Sequence, residues 1–446
     1  MSQTVRVYPS GPLRGAISPP SSKYHTLRYI LAAFLATGTS KVYYPGISDD
    51  TDVLLRACSQ LGARISVERQ PDGRQILSIH GTGGSLKKPQ GGRLDVGNAG
   101  AVLRLLLGIC AVSTEEITFT TPYPESLGRR PNADLLHALT QLGATVETPT
   151  FEGTLPIKIR GGQLRGGKVQ VLGKKSSQYI SSLLFLAPLL EEGLDIEIVG
   201  GLTSASFIDL TVQILEEAGI SILTQERYRH YIVPGKQHYQ PREYVIPGDY
   251  PSAAALLAAV AIAKGEITLA NLREDDASGE AILEVFSEMG VQIARTGSTI
   301  TARSYEPLRG ITIDGNKTID SVPVIVAAAC FANSPSRIYN VANLKLKESD
   351  RIADLATELR KSGCQLNTTA DAFEIPAIEA EGIHGGVQVD AHADHRLIEA
   401  LAAVGLGNKY PITIADAQHV AKSYPHFFAD LAKLGAKIEW VIDQGE

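Results

Sequence analysis

The chain has 446 residues, of which 44% are hydrophobic and 20% charged, an ordinary composition for a globular protein. This length predicts two or three domains, each with a core of its own. The formal net charge of −6 argues against nucleic acid and anionic membranes as partners, and it leaves room for a small anionic ligand at a local cluster of cations.

Three features predict a cytoplasmic protein without a membrane segment. The opening MSQTVRVYPSGPLRG is typical of a strand and a turn, not of a signal peptide. The apolar runs, such as SSLLFLAPLL, are too short to span a bilayer. The four cysteines are widely spaced and form no CxxC pair, so we expect a reducing compartment, no disulfide framework and no metal site.

The predicted elements recur in one order along the chain. An amphipathic helix, a glycine and a β-branched strand appear six times, and the successive glycines are 81, 76, 71, 73 and 72 residues apart. Glycine can adopt the left-handed conformation that ends a helix. We therefore predict six copies of one unit, three in each of two domains. The glycines are Gly62, Gly143, Gly219, Gly290, Gly363 and Gly435.

Each copy also contains a second helix that is apolar nearly all round. HTLRYILAAFLATG, AVLRLLLGICAV and SAAALLAAVAIAKG are examples. A helix without a polar face is buried, so we expect these helices inside each domain and the amphipathic ones outside.

Cations and small polar residues gather where predicted strands lead into helices. Helix N-termini have free N–H groups that bind phosphate and carboxylate, and hydroxyl and amide side chains add further donors. Taken singly, each such segment is more often a helix cap or a solvated charge, so the prediction depends on their joint occurrence. In chain order the segments are SPPSSKYHTLRY, DVGNAGAVLRLL with Arg104, RRP at 129–131, KKSSQYISSLLF, LKLKESDRI, HADHRLIEA and AKSYPHFF.

Eight motifs in one order make the chain resemble the enolpyruvyl transferase family, most closely its EPSP synthase (3-phosphoshikimate 1-carboxyvinyltransferase) branch. The resemblance runs from about Val5 to Lys437. It implies a two-domain inverted α/β barrel of six βαβαββ repeats, with residues 1–20 and 242–446 in one domain, residues 21–241 in the other and an active site in the cleft between them. The motifs are SKYHTLR, SDDT, GNAGAVLR, SSQYISSLL, PGDYPSAAALLAA, IDSVP, LKLKESDRI and HADHR.

The resemblance implies transfer of the enolpyruvyl group of phosphoenolpyruvate to a hydroxyl of shikimate 3-phosphate, with loss of phosphate and without a cofactor or metal. Glu348 would protonate C3 of phosphoenolpyruvate, and Asp320 would take the proton of the acceptor hydroxyl. Lys23 and His395 complete the expected catalytic set. Taken alone, Asp320 before SVPVIVAAAC is more typical of a helix N-cap, and His395 either orients Glu348 or relays a proton.

By the same resemblance, two sets of residues would bind the substrates. Arginine pairs bidentately with carboxylate and phosphate, and lysine supplies a point charge. The phosphoenolpyruvate set is Lys23, Asn98, Gly100, Arg130, Gln178, Arg351, Arg396 and Lys422. The acceptor set is Tyr24, Arg28, Ser176, Ser177, Gln178, Ser204, Asp320, Asn343 and Lys347.

Four positions depart from the family pattern, mostly on the acceptor side. Tyr24 replaces a serine, Ala101 replaces a threonine, and Ala205 and Phe207 stand where an arginine or an aromatic hydroxyl is common. Two interpretations therefore stay open: shikimate 3-phosphate as acceptor, or another hydroxylated acceptor or related elimination in specialised metabolism. A third is a non-catalytic binder of an anionic metabolite, and we expect a monomer in each case. The related transferase acting on UDP-N-acetylglucosamine fits poorly, since TPYPESLGRRP has no cysteine.

Overall fold

The computed structural model describes residues 3–71, 73–162 and 164–441. The strands are β1 (Thr4–Val7), β2 (Leu13–Ile17), β3 (Thr39–Tyr43), β4 (Arg64–Arg69), β5 (Gln75–His80), β6 (Arg93–Asp95), β7 (Ile117–Thr120), β8 (Thr145–Glu147), β9 (Ile157–Arg160), β10 (Gly167–Leu172), β11 (Leu194–Val199), β12 (Leu223–Glu226), β13 (His230–Val233), β14 (Glu243–Val245), β15 (Gly265–Leu269), β16 (Gln292–Thr296), β17 (Thr299–Ser304), β18 (Thr312–Asp314), β19 (Ser336–Tyr339), β20 (Asn367–Thr368), β21 (Ala372–Ile375), β22 (Gln388–Asp390), β23 (Ile412–Ala415) and β24 (Ile438–Val441).

Helices alternate with these strands along the chain. The α-helices are α1 (Lys23–Leu35), α2 (Asp49–Gln60), α3 (Gly100–Cys110), α4 (Ala133–Gln141), α5 (Gln178–Leu186), α6 (Ser206–Glu217), α7 (Tyr250–Ala263), α8 (Ala277–Glu288), α9 (Val322–Ala329), α10 (Ala353–Lys361), α11 (His395–Gly407) and α12 (Phe427–Lys433). Short 3-10 helices occupy Gln90–Gly92, Leu127–Arg129, Ala187–Leu189, Gly315–Ser321, Ala342–Leu346 and Ala417–Lys422. Within the described ranges, every helix is too short or too polar to cross a bilayer.

The strands form six four-stranded sheets of one design. In the sheet β6-β7-β9-β8, the first two strands run parallel and the other neighbours antiparallel, in the order βαβαββ along the chain. The other five sheets repeat this pairing. The predicted α/β class with six repeats is thus confirmed, although the sheets are separate and no closed barrel forms among the described residues.

The chain divides into two compact units: a middle unit, Ser21–Ile246, and a discontinuous unit, Met1–Pro20 with Pro247–Glu446. Each unit contains three of the sheets and a hydrophobic core of its own. The middle unit extends further than the predicted end at residue 241, because β14 pairs in parallel with β3, with Tyr244 opposite Val42. The discontinuous unit takes β1 and β2 from the start of the chain.

The inner helices match the prediction from their composition. Every residue of α7 and of α9 is buried, and α11 is buried from His395 to Leu406. The outer helix α2 instead alternates buried residues with exposed acidic and basic ones. Burial of the apolar helices follows from the absence of a polar face.

The six repeat glycines all have positive φ, between 85° at Gly219 and 116° at Gly62. At Gly143, φ is 103° and an added Cβ would meet no atom within 4 Å. Replacing Gly143 by alanine therefore tests backbone conformation without a steric clash. We expect Gly143→Ala to lower the free energy of unfolding by about 1 kcal/mol, measured by urea denaturation followed by circular dichroism.

Gly201 provides the matched control in the same unit. An added Cβ there also meets nothing within 4 Å, and its φ lies outside the left-handed region. Gly201→Ala should leave the unfolding free energy unchanged or raise it slightly, because alanine reduces the entropy of the unfolded chain. Equal effects of the two substitutions would contradict the assigned role of Gly143.

Candidate active site

Four segments of the discontinuous unit bring charged side chains together. They are the 3-10 helix Gly315–Ser321, the segment that leads into α10, the start of α11, and the 3-10 helix Ala417–Lys422. We call the following set the anion cluster: Asp320, Lys347, Glu348, Arg351, Asp394, Arg396, Glu399 and Lys422.

Arg351 lies at the centre of the anion cluster and is only 1% exposed. Its Nε donates to Asp394 Oδ2 at 2.7 Å, its Nη2 to Glu348 Oε2 at 2.7 Å, and its Nη1 to Asp320 Oδ1 at 3.3 Å. Burial by itself would lower the pKa of Arg351, but the carboxylates of Asp394, Glu348 and Asp320 outweigh it and raise that pKa. Arg351 is therefore a permanent cation that fixes three acids.

Glu348 is held between two cations. Its Oε1 accepts from Lys422 Nζ at 2.9 Å, and its Oε2 accepts from Arg351. On the other side of Arg351, Asp320 Oδ1 accepts from Lys347 Nζ at 3.0 Å. The two acids predicted to transfer protons are thus joined through one guanidinium.

The alternative role of Asp320 as a helix N-cap is wrong. The N-cap of α9 is Ser321, and Asp320 lies inside the preceding 3-10 helix with its carboxylate on Lys347 and Arg351. The carboxylate of Asp320 is 11% exposed and accepts from two cations, which holds it among the charged side chains of the anion cluster.

The start of α11 adds a further acid and a further arginine. Asp394 is fully buried and caps the helix by accepting from Arg396 N at 2.9 Å, besides binding Arg351. Arg396 is 2% exposed, and its Nη1 donates to Glu399 Oε2 at 2.9 Å. His395 is buried with Nδ1 3.8 Å from Asp394 Oδ1, and its role as orienting group or proton relay stays a prediction.

In the middle unit, α1 begins at the predicted Lys23. Lys23 Nζ lies 3.3 Å from Asp50 Oδ2, and the Tyr24 ring stacks on Phe207 with centroids 4.4 Å apart. Arg28 directs its guanidinium at protein acceptors: Nε donates to Thr211 Oγ1 at 2.8 Å, and Nη1 and Nη2 donate to the carbonyls of Tyr24 and Phe207. Burial lowers the pKa of Arg28 to about 10.

A second group of predicted residues lies around Arg104. Its Nη1 donates to Gln178 Oε1 at 2.9 Å, and Gln178 N donates to Ser176 Oγ at 3.2 Å. A Cβ added to Gly100 would lie 3.0 Å from Nη1 of Arg130, so this glycine lets the arginine approach the start of α3.

The remaining predicted residues lie singly at helix or turn positions. Asn98 is in the turn before α3 with a buried Oδ1, Ser177 is the N-cap of α5, Ser204 precedes α6 with φ of 55°, and Asn343 is half-buried in the 3-10 helix Ala342–Leu346. That the residues of the middle unit share one active site with the anion cluster stays a prediction.

The profile of the EPSP synthase (3-phosphoshikimate 1-carboxyvinyltransferase) family matches residues 7–431. The chain belongs to the EPSP synthase family. It is 42% identical over 438 residues to a 3-phosphoshikimate 1-carboxyvinyltransferase of Deinococcus radiodurans, covering 98% of this chain and 97% of that protein. A protein of the same name from Methanosarcina acetivorans is 38% identical, with 97% and 98% covered.

Solved structures agree with this membership. An EPSP synthase from Acinetobacter baumannii superposes with a TM-score of 0.83 at 26% identity, over 99% of this chain and all of that one. The enolpyruvyl transferase NikO from Streptomyces tendae gives a TM-score of 0.76 over 99% of each chain, and at 15% identity it shows the shared fold alone. As a member of the EPSP synthase family, the chain is a transferase, as predicted.

Sequence reasoning missed three acids that hold the cations of this EPSP synthase family member. Asp394 directly precedes an expected helix start within HADHR, which is the signal for an N-cap. Glu399 follows Arg396 by three residues on one helix, the spacing of neighbouring side chains. Asp50, the partner of Lys23, lies inside the recognised SDDT motif.

Among the described residues, no cluster of three or more His, Cys, Asp or Glu side chains is placed to hold a metal ion. The four cysteines are free and buried.

Proposed function

We propose that this EPSP synthase family member transfers the 1-carboxyvinyl group of phosphoenolpyruvate to a hydroxyl of shikimate 3-phosphate and releases inorganic phosphate. The observation that carries the proposal is the joined pair of acids, Glu348 and Asp320, on the buried cation Arg351. A carbon acid–base reaction on an anionic substrate needs such a combination. The names of the relatives support both the reaction and the acceptor.

Glu348 transfers a proton in both halves of the reaction, and Asp320 takes one from the acceptor hydroxyl. Glu348 gives its proton to C3 of phosphoenolpyruvate, and positive charge develops at C2. The acceptor oxygen then forms a bond to C2 while its proton goes to Asp320. In the second half, the bond from C2 to the phosphate oxygen breaks and the leaving phosphate takes up the proton that Asp320 received. C3 loses a proton to Glu348, and the vinyl double bond forms again.

The cations of the anion cluster stabilise the charges of this sequence. Lys422 Nζ, 2.9 Å from Glu348, is placed to exchange a proton with it and to face the leaving phosphate. Arg396 and Lys347 supply further donors to phosphate and carboxylate groups. In the middle unit, Lys23, Asn98, Gly100, Arg130 and Gln178 are the proposed contributors to phosphoenolpyruvate binding.

For the acceptor, one structural observation favours an alternative to shikimate 3-phosphate. Arg28 donates to three protein acceptors, and a stacked Tyr24–Phe207 pair stands where the family commonly has hydroxyl groups. These contacts favour an acceptor pocket that offers fewer polar groups to the substrate. Such a pocket would suit a hydroxylated acceptor less polar than shikimate 3-phosphate. The buried free thiols fit the proposed reducing, cytoplasmic setting.

The purified protein incubated with phosphoenolpyruvate and a panel of alcohols tests the proposal through released phosphate. The panel contains shikimate 3-phosphate, shikimate and other shikimate derivatives. We expect phosphate release that requires both phosphoenolpyruvate and shikimate 3-phosphate. Release with another alcohol alone would show a different acceptor, and binding of phosphoenolpyruvate without any release would show a non-catalytic binder.

A further inference from the structure

Glu399 is a fully buried carboxylate of the anion cluster, close to the cations Arg396 and Lys422. The proposed reaction gives it no proton to transfer. It lies on α11, one turn after Arg396. Its Oε2 accepts from Arg396 Nη1 at 2.9 Å, and its Oε1 accepts from Ser423 Oγ at 3.3 Å. Ser423 directly follows Lys422. The carboxylate of Glu399 therefore contacts both the helix that carries Arg396 and the segment that carries Lys422.

The surroundings make an acid at this position costly. Its helix neighbours Leu397, Ile398, Ala400 and Leu401 are completely buried, and an apolar side chain would suit the same core. Burial raises the pKa of Glu399 although Arg396 acts in the opposite direction. Since a buried ion pair is weak evidence for stability, a different role for this carboxylate is indicated.

Arg396 has a second carboxylate nearby, so its guanidinium could be oriented by either of two acids. Asp249 Oδ2 lies 3.8 Å from Arg396 Nη2, and that carboxylate already caps α7 by accepting from Ser252 N and Oγ. A guanidinium is planar, so a close bond at Nη1 fixes the plane in which its other N–H groups point. Loss of Glu399 would remove the bond at Nη1, while Asp249 remains 3.8 Å from Nη2.

We propose that Glu399 is a positioning residue for phosphoenolpyruvate binding. It orients the guanidinium of Arg396 and, through Ser423, the segment that carries Lys422, toward the anionic groups of the substrate. The inference rests on the proposed function, because it takes Arg396 and Lys422 as ligands of phosphoenolpyruvate.

The direction in which the KM for phosphoenolpyruvate changes when Glu399 is replaced distinguishes a positioning role from a purely electrostatic one. Removing a carboxylate beside a cation would by itself strengthen anion binding and lower the KM for phosphoenolpyruvate. If Glu399 positions Arg396, Glu399→Met should instead raise this KM by about tenfold, the range for losing a hydrogen bond to a charged group, with the KM for shikimate 3-phosphate unchanged. Glu399→Gln keeps an accepting oxygen for Arg396 and should restore the KM to within about threefold of wild type.

Asp430→Asn is the matched control. Asp430 is a buried carboxylate of the same unit that accepts from Tyr424 and Lys433, neither of which is in the anion cluster. It should leave the KM for phosphoenolpyruvate at the wild-type value. Thermal melts followed by the fluorescence of Trp440, the single tryptophan, verify that each variant is folded.

An unchanged or lower KM for phosphoenolpyruvate in folded Glu399→Met would overturn the inference, as would equal losses in Glu399→Met and Glu399→Gln. Failure of the proposed function is seen separately, as absence of turnover by the wild-type protein. In that case, calorimetric Kd values for phosphoenolpyruvate take the place of KM. Weaker binding by Glu399→Met alone then supports the positioning role, and equal binding overturns it.

Discussion

Replacing Glu348 by glutamine is expected to lower kcat by about two to four orders of magnitude, the usual contribution of a positioned general acid. Glutamine has the size of glutamate and keeps one accepting oxygen, for Lys422 or for Arg351, but it has no acidic proton for C3. The KM for phosphoenolpyruvate should stay equal or fall, because a negative charge is removed from beside the cations. Steady-state kinetics of phosphate release measures both constants.

Glu374→Gln is the control for this substitution. Glu374 lies on β21 of the same unit with a half-exposed side chain and makes a long ion pair with Arg337, at 3.8 Å. Its replacement should leave kcat and KM at wild-type values. If Glu348→Gln retained more than a tenth of wild-type kcat, Glu348 would not be the acid that protonates C3.

Replacing Arg351 by methionine should give the largest loss of stability in the discontinuous unit. Three carboxylates, of Asp320, Glu348 and Asp394, would lose their shared buried cation. Breaking a buried ion pair from one side costs about 3–5 kcal/mol. Because Trp440 lies on β24 of the same unit, urea denaturation followed by its fluorescence reports this loss directly.

Arg303 supplies a surface comparison for Arg351. It pairs with Glu266 at 2.8 Å, and both side chains are about half exposed. Since exposed ion pairs contribute little, Arg303→Met should unfold at the wild-type urea concentration. A similar urea midpoint for Arg303→Met and Arg351→Met would show that the anion cluster does not depend on its central cation.

Much of the fold was predictable because its signals are local. A glycine after an amphipathic helix specifies the left-handed helix end within a few residues, and all six such glycines have positive φ. The pairing of β14 with β3 was not predictable in this way. It joins segments at opposite ends of the middle unit, and a three-residue strand has no periodic pattern to reveal it.

The candidate site was predictable to a similar degree. The motifs placed Glu348, Arg351 and Arg396 at helix starts. The structure has Arg396 in the first turn of α11, whereas Glu348 and Arg351 lie in the segment before α10, which begins only at Ala353. The ion-pair partners of these residues could not be predicted from the sequence, because Arg351 binds Asp394, which is 43 residues away in the chain. The direction of Arg28 toward Thr211 likewise depends on the packing of α1 against α6, which no local pattern contains.

In the proposed mechanism, Glu348 and its cations carry out addition and elimination at phosphoenolpyruvate. The most direct test is nuclear magnetic resonance of the product formed in deuterium oxide from phosphoenolpyruvate and shikimate 3-phosphate. We expect one carboxyvinyl ether of shikimate 3-phosphate for each phosphate released, with deuterium in its vinyl group, and neither product in Glu348→Gln over the same time. Phosphate released without the ether, or an ether formed without deuterium, would show that the protein does not act by this addition and elimination.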